Sequence, residues 1–275
     1  SSCFMIRYIL FLACCVCAFS QLRGQEPTFV LSSQQAVKAD RLVVDELGNI
    51  YLMTATSIER RNAVGNGVFR TSEMQWGEFH SIDVTDPLRP FVHFPSAGKI
   101  VFFDNTLSTQ ASPIDLYELG FDNVEAMCGS RGDGFWLWDG RNSELLRVDR
   151  NFSKRYTSGN LSTLLSAEIH PVAMMERGSS LFVLGDNDNL YVFDMFGAWR
   201  KTLAMPINCT LDADSDKLYI FSSDATMQVI ETNMWLSQEF KLPIAGAKYS
   251  YRHGSLYALK DSLLSVFKFA ENTRN

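Results

Sequence analysis

Asp212, Asp214 and Asp216 alternate through DADSDK with the spacing that opens a calcium loop. Such a loop also needs glycine at its sixth place and glutamate at its twelfth. Lys217 and Ser223 stand there instead. The stretch is expected to be a polar turn in which Asp and Ser bond their own backbone, and GDNDN at 185–189 is read the same way. Four histidines, at 80, 93, 170 and 253, are dispersed, and no His or Cys pair has zinc spacing. The chain has no G-x-S-x-G elbow and no phosphate-binding glycine loop. Arg131-Gly132-Asp133 is ordinary turn chemistry. Three further acids, Asp83, Glu125 and Glu176, fall on or beside strands of different segments. They could share a divalent cation only if the fold brings those segments around a common axis.

A repeat supplies such an axis. RLVVDELGNIYLMT (41–54) reads as apolar strand, polar turn, apolar strand. The same grammar returns at 80–94, 124–139, 171–186, 208–224 and 247–261, each with an aromatic near the start of the second strand. Those aromatics are Tyr51, Phe91, Trp136, Phe182, Tyr219 and Tyr257, spaced by 40, 45, 46, 37 and 38 residues. A third strand follows in each unit (57–62, 99–104, 144–149, 189–194, 227–232, 263–269), and in five a fourth (68–72, 114–120, 155–159, 200–205, 238–243). Runs such as LYVF and LYIF are apolar at consecutive positions, so both strand faces must be buried. Three to four short antiparallel strands per unit of about 40 residues is the pattern of a β-propeller blade.

Six units predict an all-β, six-bladed ring. The last unit lacks a fourth strand, and an unassigned one, PTFVLSS (27–33), precedes the first. The N-terminal strand is expected to complete the last blade, which closes the ring and covers its edges. SAEIH (166–170) is at most one helical turn. The expected organisation is a leader in residues 1–20 and a single propeller domain over 21–275. Met5, Arg7, the apolar run YILFLACCVCAF and Ala18-Phe19-Ser20 follow the grammar of a secretory signal peptide. The run is too short to span a bilayer. Phe-Leu-Ala before Cys14 departs from the usual lipoprotein box.

Export agrees with the cysteines. Four of six lie in the leader, leaving Cys128 and Cys209. They are read as two separate buried thiols on inner strands; one disulfide between them is the alternative. The formal charge of −6 and the lack of a Lys/Arg cluster speak against nucleic acid as a partner.

The stretch DELGNIYL (45–52) followed by IERRN (58–62) resembles blades of NHL-like six-bladed propellers, in which D-x-x-G-N-hydrophobic-Y-V recurs. By IDVTDPLRPFVHF, GFWLWDGRNSELLRVD and NLYVFDMFGAW the chain is most similar to exported propeller proteins of Bacteroidota. The resemblance covers most of the chain beyond the leader and implies a fold, not a reaction. Only the first repeat has the full motif; the others carry SRGDG, ERGSS, ADSDK and RHGS.

The function expected from these readings is a non-catalytic binding scaffold of the periplasm or cell surface, part of an envelope assembly, with a protein partner and no cofactor. Its localisation would be periplasmic, outer-membrane associated or extracellular, with no transmembrane segment in the mature chain. One alternative is a metal-dependent hydrolase of the six-bladed lactonase type, with Asp83, Glu125 and Glu176 in the central funnel. The other is a glycan-binding propeller. Trp76, Trp199 and Trp235, placed in connections between blades, are the candidate binding-surface aromatics.

Overall fold

The computed structural model describes residues 28–63, 66–72, 75–130, 132 and 134–270. The leader (1–20) lies outside them, as do Arg131 and Asp133 of the RGD tripeptide. The chain is a six-bladed β-propeller. It opens on β1 (Thr28–Ala36), and blade 1 follows as β2 (Arg41–Val44), β3 (Ile50–Thr54), β4 (Ser57–Arg61) and β5 (Phe69–Thr71). Blade 2 has β6 (Phe91–Phe94), β7 (Lys99–Phe102) and β8 (Ile114–Asp115). Blade 3 is β9 (Val124–Ser130), β10 (Gly134–Asp139), β11 (Glu144–Val148) and β12 (Lys154–Thr157). Blade 4 is β13 (Pro171–Arg177), β14 (Ser180–Gly185), β15 (Asn189–Asp194) and β16 (Trp199–Ala204). Blade 5 is β17 (Thr210–Ala213), β18 (Lys217–Phe221), β19 (Thr226–Glu231) and β20 (Leu236–Lys241). Blade 6 is β21 (Lys248–Arg252), β22 (Ser255–Lys260), β23 (Leu263–Ala270) and, as its outer strand, β1.

The ring closes as the sequence predicts. β1 pairs antiparallel with β23 from Thr28↔Ala270 to Ala36↔Leu263, with one bulge between Leu31 and Ser33. A slip of this pairing by one residue would turn β1 over and take Phe29 off the blade 5–6 core.

Each apolar strand serves two interfaces because successive side chains point to opposite faces. On β15, Tyr191 and Phe193 pack toward blade 3, while Leu190 and Val192 pack toward blade 5. On β10, Phe135 and Leu137 face blade 2 and Trp136 and Trp138 face blade 4. The buried core is accordingly six separate clusters, one in each seam between neighbouring blades. The repeated aromatic explains the register. Tyr51, Phe91, Trp136, Phe182, Tyr219 and Tyr257 are all buried, and each enters the seam with the following blade.

Several local expectations need correction. Blade 2 has no first strand among the described residues: its inner segment makes only the bridge Asp83↔Phe91 across the VTDPLRP turn. Its outer strand stops at Asp115, whose carboxylate turns back to accept from the Tyr117 and Glu118 amides. The helical turn is at Leu161–Leu165 (α1), not at 166–170. The Asn160 side chain caps it by accepting from Thr163 N, and Ser166 ends it at φ +51°. Trp199 begins strand β16 and is not in a connection. Cys209 precedes β17 and is half-buried, whereas Cys128 lies buried on β9; both thiols are free.

Candidate functional site

Six inner segments surround the central channel: β2, the Asp83 bridge, β9, β13, β17 and β21. All run the same way, so the turn after each of them opens on one end of the ring. At that end lies a cavity of about 440 Å³, lined by Glu46, Thr85, Glu176, Arg177, Gly178, Asp214, Ser215, Asp216, Arg252 and His253. Thr85, Arg177 and Arg252 also line the channel below, whose wall includes Leu42, Ile82, Met174 and Leu211. The cavity is thus the channel's mouth. Its walls come close together: a Cβ on Gly178, which sits at φ +58°, would lie 1.7 Å from the Ser215 carbonyl oxygen. Only glycine fits between these two turns.

The structure does not bring the three funnel acids together. Asp83 Oδ2 accepts from Gly129 N (2.9 Å) and its Oδ1 from Thr85 N (2.8 Å). Glu176 is buried, and its Oε2 accepts from Ser130 Oγ (2.6 Å) and Trp136 Nε1 (2.5 Å). Gly129 and Ser130 are consecutive on β9, so the two acids approach that strand from opposite neighbours. Glu125 lies five residues back along β9, about 16 Å away, at the other end of the ring. There its carboxylate packs over Gly140 and meets His170 Nδ1 at 3.3 Å. Glu125 and Glu168 together raise the His170 pKa. Among the described residues no three His, Cys, Asp or Glu side chains are grouped to hold a metal ion.

The aspartate triplet also parts company. Asp214 takes the turn role expected of it, accepting from Asp216 N, Lys217 N and the Tyr219 hydroxyl (2.6 Å). Asp212 is on β17 and reaches across the seam. It accepts from Ser250 Oγ (2.6 Å) and Tyr251 N (3.1 Å) and pairs with Arg252 Nη2 at 2.6 Å. Burial would lower the Arg252 pKa, but the Asp212 and Glu46 charges outweigh it and raise it. Asp83, Glu176 and Asp212 therefore act as polar rivets between blades 2 and 3, 3 and 4, and 5 and 6. The Cys128 thiol lies between the first two: burial raises its pKa, and the Asp83 and Glu176 charges raise it further. Such a thiol is a poor nucleophile.

Two arginines at the mouth carry more capacity. Arg177 gives Nη1 to Thr85 Oγ1 (3.0 Å) and to the Glu176 carbonyl (2.8 Å). Arg252, whose side chain is 3% exposed, gives Nη1 to the Tyr251 carbonyl (2.7 Å). The Nε of each is sealed from solvent with no hydrogen-bond partner. A buried, unsatisfied donor costs about 1–3 kcal/mol. Glu46 Oε1 stands between them, at 3.9 Å from Arg177 Nε and 3.7 Å from Arg252 Nε. These distances allow attraction but no hydrogen bond. The blade 1 turn that carries Glu46 is tied down because its carbonyl accepts from His253 Nε2 at 2.8 Å.

Glu46, Arg177 and Arg252 are not marked in the sequence by any motif. The signal that could have found them is positional. Glu46-Leu47-Gly48, Arg177-Gly178 and Arg252-His253-Gly254 are corresponding turns of blades 1, 4 and 6, each with a charge just ahead of the turn glycine. In a closed ring, corresponding turns face one mouth.

The predicted aromatics are distributed differently. Trp76 is half-buried against the blade 1–2 core with Lys99 Nζ 5.1 Å from its ring centre. Trp235 packs against the blade 4–5 core under Lys201 Nζ at 3.7 Å. Both cover blade edges, where a cation stacks on their faces. Trp199 is 43% exposed and gives its Nε1 only a 3.3 Å bond to Thr202 Oγ1.

No protein-family model matches the chain, and no curated protein matches it. Solved structures share its fold. It is similar to virginiamycin B lyase from Staphylococcus aureus, with 9% identity, 88% of this chain and 99% of that one covered, and a TM-score of 0.57. BBS1N in complex with ARL6DN matches at 11% identity over 90% and 98% of the two chains, TM-score 0.54. BamB from Moraxella catarrhalis matches at 11% identity over 88% and 100%, TM-score 0.50. What these proteins share with this chain is the β-propeller fold.

Proposed function

We propose that the chain is a non-catalytic binding propeller of the bacterial periplasm or cell surface, part of an envelope assembly. The observation that carries this reading is the state of the channel acids. Asp83, Glu176 and Asp212 are each engaged in hydrogen bonds across a seam, which assigns them to holding blades together. The mouth, in contrast, keeps donors that nothing in the fold uses well. Exposed apolar residues occur on turns at both ends of the ring, as with Leu47, Leu88 and Phe196 at the mouth and Leu119, Leu164 and Ile207 at the other end. Exposure alone favours neither end; the arginine-lined mouth is what supports a binding face there. The leader grammar supports export, and among the described residues no helix is long and apolar enough to cross a membrane. BBS1N with ARL6DN is an example of the ring shape serving a protein partner.

The test is affinity capture by the tagged mature chain from an envelope extract, with untagged chain as competitor. The reading expects one specific protein whose retention the competitor abolishes; recovery of none would overturn it. Metal analysis of the purified chain checks the hydrolase alternative, for which virginiamycin B lyase is an example of a propeller that is an enzyme. A stoichiometric, chelator-removable calcium or zinc would favour that alternative. For glycan binding, Trp199 is the exposed aromatic of the three, and polysaccharide retention lost on Trp199→Ala would support it.

A further inference from the structure

We propose that the channel mouth is a receptor site for a carboxylate, and that Glu46 occupies it as a built-in stand-in until a ligand's carboxylate takes its place. The inference rests on the binding reading above and names the chemistry that the mouth would recognise.

Three observations converge. First, the mouth is a cavity of about 440 Å³, large enough for a short peptide end or a side chain. Second, Arg177 from blade 4 and Arg252 from blade 6 place two Nε–H groups there that are sealed and without an acceptor, Arg252 on a side chain 97% buried. Guanidinium nitrogens in this setting favour a planar carboxylate, which can accept from both at once. Third, a carboxylate is already seen between them. Glu46 Oε1 is 3.7 and 3.9 Å away, too far to hydrogen-bond, and the Glu46 side chain is 43% exposed on a turn. It is close enough to cover the two donors but is held back by the anchoring of its own backbone to His253. A ligand carboxylate has no such tether and can close the gap of nearly an ångström.

The surroundings select for a single negative charge. Asp212 is salt-bridged to the far side of Arg252, and Asp214 and Asp216 line the opposite wall. A phosphate dianion would meet these charges at close range. A carboxylate brings half that charge and matches the one already there. The source is either the C-terminus of a polypeptide or an acidic side chain; the chemistry is the same for both.

The test follows the arginine Nε–H resonances of the 15N-arginine-labelled chain during titration with three peptides. They are acetyl-Gly-Gly-Gly with a free C-terminus, the same peptide amidated, and acetyl-Gly-Glu-Gly-amide. Glu46→Gln, an exposed turn substitution that removes the competing charge, should bind at least one carboxylate peptide about tenfold more tightly than the wild type, the scale of a charge-assisted hydrogen bond. The fully amidated Gly peptide should leave the resonances unmoved. Binding of the first peptide assigns the site to a chain terminus, and binding of the third to an acidic side chain. In the Glu46→Gln background, Arg177→Lys keeps the positive charge but loses Nε–H and should lose binding about tenfold. If Arg177→Lys perturbs the fold, Thr85→Val, which frees the Arg177 Nη1, reports instead and should change the affinity. The proposal is overturned if Glu46→Gln binds neither carboxylate at millimolar concentration, or if the amide binds equally well. Partner capture that survives Arg177→Lys would also sink the carboxylate site while leaving the scaffold reading intact. Carboxylate binding without any captured partner would do the reverse.

Discussion

The seams between blades and the mouth of the channel are built on opposite rules. A seam is dry, apolar and redundant: six clusters do the same work, each entered by one large aromatic from the preceding blade. The mouth is polar and singular, assembled from Glu46, Arg177 and Arg252, which are 131 and 75 residues apart in the chain. The acids that enter a seam are engaged there, as Glu176 is by Ser130 and Trp136, while the ring nitrogens Trp138 Nε1 and His93 Nε2 are left without a partner. At the mouth two arginine donors remain sealed without an acceptor. The contrast separates residues that keep the ring closed from residues available to a ligand.

The largest effect should come from a seam. Trp136→Ala removes a fully buried indole from the blade 3–4 cluster and leaves Glu176 one donor short. Chemical denaturation should show a loss of about 3–5 kcal/mol. A loss below about 1 kcal/mol would mean that the seams do not carry the fold. Next comes the rivet between blades 5 and 6. Asp212→Ala leaves Arg252 buried without its 2.6 Å partner, and an uncompensated buried charge costs about 3 kcal/mol or more. Were Asp212 a ligand-binding acid, the same substitution would cost little stability.

His93 gives a smaller, pH-dependent contrast. It stands on β6 facing blade 3, with its Nε2 sealed and unpartnered, and burial pushes its pKa down to about 4. An unfolded histidine titrates near 6.5. Between those values the unfolded chain binds more protons, so stability should fall as the pH drops from about 6.5 to about 4, by of order 2–3 kcal/mol. Glu59, whose carboxylate Arg70 and Arg61 hold below its usual range despite burial, adds a further loss at the acid end. His93→Gln should flatten the upper part of this profile, measured as denaturation midpoints across that range. An unchanged slope would place the proton uptake elsewhere.

The architecture was legible because a repeated apolar pattern is local in sequence and redundant in space. LYVF and LYIF could only be strands buried on both sides, and the orphan strand before the first repeat could only close the last blade. Blade 2 was less legible: its segment satisfies the strand-turn-strand pattern, but the inner part pairs through one bridge alone. The site was not legible for a related reason. Acids are conspicuous in a sequence, and Asp83, Glu125 and Glu176 drew attention, yet what decides their role is which neighbour donates to them. Ser130 and Trp136 reach Glu176 from another blade, and Ser250 reaches Asp212 from the next one. Arginines on turns are common on surfaces, and nothing short of the closed ring sets Arg177 beside Arg252.

The division of labour between seam and mouth is tested most directly on Arg177→Gln, by measuring partner retention from envelope extract and the denaturation midpoint on the same preparation. The account predicts that retention is lost while stability changes by no more than about 1–2 kcal/mol, the scale of the Thr85 and carbonyl hydrogen bonds removed. Undiminished retention, whatever happens to the midpoint, would contradict it.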